Sequence, residues 1–153
     1  MRGLLQRAAV LGLLGLTACG GDGGGDALGP APSLTGAWRF TEFTVSGTAQ
    51  GVAVSCSLTG MSVQLAQSGG QLSGTHSSAT FSCSGGGQSE SAEVPAGQVA
   101  GSVAGTQVTL RLDEGQPFSG TLSSSGAEIR GPLSIAVPDF GTFSGLFVLT
   151  RSS

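Results

Sequence analysis

At 153 residues the chain has room for one ordinary domain and little else. Only 10% of its residues are charged, the formal net charge is −3, and there is neither lysine nor tyrosine. With no basic patch to displace phosphate counterions, nucleic acid is excluded as a partner, and so is electrostatic docking on anionic lipid.

Taken in chain order, Arg2 and Arg7 open a short positive region, followed by the apolar run Ala8–Leu16. That run is too short to cross a ~30 Å hydrocarbon core as a helix, so it reads as the apolar part of a signal peptide. Leu16-Thr17-Ala18-Cys19 follows. It resembles the bacterial lipobox, in which a cysteine after small residues is diacylated and becomes the new N-terminus. The resemblance implies a leader over 1–18, lipidation at Cys19 and a membrane partner through that anchor. The residue after the cysteine is Gly20 rather than Asp, which similarity to bacterial sorting rules reads as outer membrane over inner. Residues 19–33 then form a Gly/Asp/Pro tether with almost no apolar content and a reach of roughly 20 Å. The domain proper is expected over 34–153. Once Ala18 is passed, four arginines face nine carboxylates, leaving this part of the chain near −5.

Three cysteines in an exported chain leave one over. With Cys19 lipidated, Cys56 and Cys83 remain as an even pair in an oxidising compartment. A bond between them would stabilise the fold by roughly 3–4 kcal/mol through loop closure.

From Leu34 to Arg151 a short pattern recurs: an apolar residue, any residue, glycine. Examples are Leu34-Thr35-Gly36, Leu72-Ser73-Gly74, Phe118-Ser119-Gly120, Ile129-Arg130-Gly131 and Phe143-Ser144-Gly145. Residues two apart share a face of a strand, so glycine and apolar side chain point the same way. Glycines in one phase of many strands let a sheet coil tightly, as a closed sheet requires. Turn signals at Ser68–Gln71, Ala104–Thr106, Asp113–Gln116 and Ser124–Gly126 separate eight or nine strands, and no amphipathic helix is visible. An all-β, up-and-down antiparallel barrel of about eight strands is the expected fold, with a β-sandwich as the alternative. The Gly85-Gly86-Gly87 run and the polar residues after it, through Gly97, read as a long loop.

Gly36-Ala37-Trp38 on the first strand resembles the Gly-x-Trp opening of the lipocalin and avidin-like barrels, the calycins. In that group a basic residue at the end of the last strand packs over the tryptophan, and Phe147-Val148-Leu149-Thr150-Arg151 ends with Arg151. The resemblance implies a barrel floor made by Trp38 and Arg151. A barrel of about eight strands holds either packed side chains or one small ligand, and the inward phase makes Phe40, Val103, Phe118, Leu122, Phe147 and His76 the candidate lining for a small hydrophobic ligand. The further loop motif of lipocalins and the polar set of biotin binders are not seen.

Chemistry is sparse. A lone histidine and scattered carboxylates make no metal-ligand set, and the serines and acids fall into no nucleophile motif. Glu42, Asp113, Glu114, Glu128 and Asp139 read as solvated charge, with too few aromatic residues to stack a sugar. No catalytic residue, cofactor or enzyme activity is expected. The expectation is a tethered envelope lipoprotein binding a small apolar molecule. The alternative is a protein-interaction module, like small inhibitor lipoproteins that insert a loop into an enzyme, although their tyrosine-containing motif is absent.

Overall fold

The computed structural model describes residues 32–137 and 141–153. The leader, Cys19, most of the tether and Asp139 lie outside the described residues. Among the described residues there are eleven β-strands and no helix: β1 Gly36–Ala49, β2 Val52–Thr59, β3 Ser62–Ser68, β4 Gln71–His76, β5 Ala79–Gly85, β6 Gln88–Val94, β7 Gly97–Ala104, β8 Gln107–Leu112, β9 Phe118–Leu122, β10 Glu128–Val137 and β11 Gly141–Arg151.

Every pairing is antiparallel, and β11 pairs with β1 to close a ring of β1, β3, β4, β7, β8, β9, β10 and β11. The sheet is therefore a closed eight-stranded barrel rather than a sandwich. The strand numbering skips because three passes of the chain are each broken in the middle. The β2–β3 pass bends at Gly60, whose φ of 83° suits glycine; the β4–β5 pass bends at Ser77-Ser78; the β6–β7 pass bends at Pro95-Ala96. Counted as passes, the chain runs up and down eight times between sequence neighbours. The halves β3, β4 and β7 complete the ring, whereas β2, β5 and β6 leave it and form a three-stranded wing beside the upper half of β1.

Gln88–Val94, expected to be loop, is a strand. It pairs in unbroken register with β5 from Gly85↔Gln88 to Ala79↔Val94. Gly86 and Gly87, at φ 59° and 78°, make the two-residue turn whose twist matches a hairpin, so the glycine run connects strands.

The repeated glycines lie on the inner face. Gly74 shares the phase of buried Leu72 and His76, Gly120 that of Leu122, and Gly131 that of Ile129 and Leu133. The reason is close approach. A methyl on Gly145 would overlap the Thr44 carbonyl of the neighbouring strand, and one on Gly120 would come within 2.7 Å of the Phe147 ring. Without those side chains the strands coil tightly, and Phe147 lies over the bare backbone of Gly120 and Gly131.

One irregularity resets the pattern. A bulge at Thr41 interrupts the β1–β11 register between Phe40 and Glu42. Inward residues switch from the even phase of Trp38 and Phe40 to the odd phase of Phe43 and Val45.

The outer face is polar. One row carries Ser134, Ser144, Ser46, Ser55, Ser84 and Ser89 in successive register across six strands. Serine, threonine and glutamine supply most of the polarity of the exterior, the reverse of a lipid-facing barrel wall.

Candidate functional site

The closed end of the barrel is built around Trp38, which is fully buried and donates its indole N–H to the Leu34 carbonyl at 2.9 Å. Trp38 and Arg151 are register partners, and the guanidinium carbon of Arg151 lies 4.6 Å from the indole ring centroid. The same guanidinium donates to the Thr35 carbonyl at 3.0 Å, to the Gly126 carbonyl at 3.4 Å and to the Ser33 carbonyl. A cation–π contact of this kind contributes about 0.5–2 kcal/mol. The floor is thus sealed by first strand, last strand and the residues that lead into the domain.

Above the floor the barrel is packed. Phe40, Phe43, Phe118 and Phe147 form one aromatic cluster, with ring centroids 4.9 to 6.4 Å apart, mostly edge to face. Val63, Leu65, Val108, Leu110, Leu122, Ile129 and Leu149 fill the rest. Apolar space opens at the opposite end, where the wing leaves the ring.

Two apolar cavities lie there. The first, about 300 Å³, sits between the Gly115–Pro117 loop and β10, against Phe43, Leu112, Phe118, Leu133 and Ile135. The second, about 310 Å³, is a trough on the inner face of the wing, lined by Val45, Ala49, Val54, Cys56, Phe81, Cys83, Ile135, Val137 and Phe143. Every side chain lining it is apolar. Ile135 borders both cavities. Cys56 and Cys83 are register partners on β2 and β5 and form a disulfide that both staples the wing and paves the trough.

Of the six candidate lining residues, Phe118 borders the first cavity. Phe40, Leu122 and Phe147 belong to the packed core, and Val103 packs against that core near the closed end, its N–H on the Gly70 carbonyl. His76 is buried and committed elsewhere. Its Nε2 is 3.0 Å from Asp113 Oδ2 and its Nδ1 is 3.0 Å from the Ser77 carbonyl. Both neighbours are acceptors, so both contacts are hydrogen bonds when both ring nitrogens carry hydrogen. Asp113, in the left-handed conformation at φ 50°, also accepts the Gln98 N–H at 2.8 Å. That amide first, and His76 second, hold the Asp113 carboxyl below the ordinary carboxylate value. The trio ties the ends of β4 and β8 to the start of β7 at the level of the mouth.

Trough residues Val45, Val54, Phe81 and Phe143 were not among the candidates. Two local signals hid them: the bulge that turns Val45 inward, and the glycine run that masked the β5–β6 hairpin. Among the described residues no group of three or more His, Cys, Asp or Glu is placed to hold a metal ion.

Fold and site together define the class: a disulfide-stapled, closed antiparallel β-barrel, sealed at one pole and flared into an apolar trough at the other. The sequence matches no protein-family model, and neither a curated protein nor a solved structure is detectably similar to the chain.

Proposed function

We propose that the chain is an exported lipoprotein, cleaved before Cys19 and acylated there, whose barrel is a tethered module that binds a small apolar molecule. One observation carries the binding reading: the trough of about 310 Å³ whose lining is entirely apolar. Burying apolar surface stabilises a bound ligand by roughly 25 cal/mol per Å² before the cost of immobilising it, so such a lining has a use only for an apolar occupant. The resemblance to calycins supports a ligand-holding barrel. The position of the cavity differs, because the aromatic cluster occupies the barrel centre and the trough lies beneath the wing.

The envelope anchor rests on the positive start, the apolar run and the lipobox at Cys19. Leu34 enters the domain at the sealed pole, so a tether attached there leaves the trough at the pole away from the anchor.

Two measurements test the reading. Full-length chain expressed in a bacterial host with labelled palmitate takes up label, and Cys19→Ala abolishes it; label retained in that variant overturns the anchor. For the ligand, the protein beginning at Gly20 is titrated with an environment-sensitive apolar dye. Phe81→Glu, at a half-buried trough position, reduces binding at least tenfold while keeping the native thermal transition. Absence of binding, or binding indifferent to that substitution, overturns the trough. Trp38 emission is the wrong reporter, because the aromatic cluster separates the indole from the trough.

A further inference from the structure

The trough holds no polar partner for a ligand, so any polar head must emerge at its rim. The lining is open on one side. A third cavity, of about 270 Å³, shares Val54 and Cys83 with it and continues to Ser84, Gly85, Gln88 and Glu90. Register explains the continuity: Cys56, Cys83 and Glu90 lie side by side on β2, β5 and β6, as do Val54, Gly85 and Gln88. Neighbouring strands are ~4.8 Å apart, which brings the Glu90 position within one strand of the disulfide. Gly85 keeps the passage low, since a methyl there would come within 2.6 Å of the Ala53 carbonyl.

Charge at this rim has one sign. Glu90 is the only ionisable side chain on the inner face of the wing among the described residues, and Glu93 sits in the opposite phase of the same strand. The arginines among the described residues are elsewhere: Arg39, Arg111 and Arg130 lie in the outward phase of barrel strands, and Arg151 lies at the sealed pole. An anionic head, such as a fatty-acid carboxylate, would meet Glu90 with no cation to compensate. A cationic head would be matched.

Accepting the trough as a binding site, we propose that its occupant is a cationic amphiphile, with the apolar tail over the disulfide and an ammonium or amine head at Glu90. A solvent-exposed ion pair contributes at most about fivefold in affinity, and a like-charge contact subtracts a similar factor. Together they give a preference on the order of tenfold for cation over anion, fading as salt screens the rim.

The test uses the lipid-free chain beginning at Gly20 and three probes sharing one tail: decyltrimethylammonium, decanoate and decanol, each below its micelle-forming concentration, read by titration calorimetry. Decyltrimethylammonium binds about tenfold more tightly than decanoate at low salt. Glu90→Gln collapses the difference without changing decanol affinity, while Glu93→Gln on the other face leaves it intact. Decanoate binding as tightly as the ammonium probe, or a preference unmoved by Glu90→Gln, overturns the head-group assignment and spares the trough. Failure of all three probes overturns both.

Discussion

Arg151 stacks its guanidinium on Trp38, its own register partner across the seam that closes the barrel, and ties three carbonyls of the flanking segments. One side chain therefore joins the first strand, the last strand, the β9–β10 connection and the chain entering the domain. Arg151→Ala is expected to lower stability by about 2–3 kcal/mol, combining a lost cation–π contact with carbonyls deprived of a charged donor. Arg151→Lys recovers only part of this, because an ammonium cannot stack flat and reach all three carbonyls. Urea unfolding followed by Trp38 emission measures both, and equal stability of the three proteins would contradict the role.

The inward glycines make a sharper prediction. Gly145→Ala drives a methyl into the Thr44 carbonyl, and Gly131→Ala places one 2.9 Å from the Phe147 ring. Each substitution should cost roughly 1–3 kcal/mol, the usual range for overpacking. Gly87, at φ 78° with open space around it, is the control. Asparagine tolerates that conformation, so Gly87→Asn should shift the thermal midpoint little.

The disulfide between Cys56 and Cys83, a sequence separation of 27, constrains the wing without crossing the ring. Replacing both cysteines with serine should reduce stability by about 3–4 kcal/mol on the loop-closure argument. Hydrogen exchange should then accelerate in Val52–Thr59 and Ala79–Val94 before it does in the ring strands. Uniform acceleration over all strands would show that wing and ring unfold as one unit.

Asp113 sets a pH dependence. Its carboxyl is held below the ordinary value by the Gln98 amide and by His76. A depressed carboxylate stabilises the fold fully above its unfolded value near 3.9 and ceases to do so as pH falls through its lower native value. Stability measured across the acid range should therefore fall less steeply below pH 4 in Asp113→Asn than in the parent. Gly97→Ala should act on the same trio, because its methyl would collide with the Asp113 carboxylate.

The architecture of the ring was legible in the residues themselves. Period-2 alternation, glycine in the phase of the apolar side chains and Trp38 on the first strand are local signals, and each depends only on neighbours two positions apart. The tertiary structure decided where space remains. The bends at Gly60, Ser77 and Pro95 send half of each of three passes out of the ring, and whether a strand continues or leaves depends on which partner its backbone pairs with. Such pairing joins residues far apart in the chain and leaves no periodic trace. The bulge at Thr41 adds a one-residue phase change, turning Phe43 and Val45 inward. The barrel could thus be read from spacing, while the packed centre and the trough beneath the wing followed from backbone pairings formed only on folding.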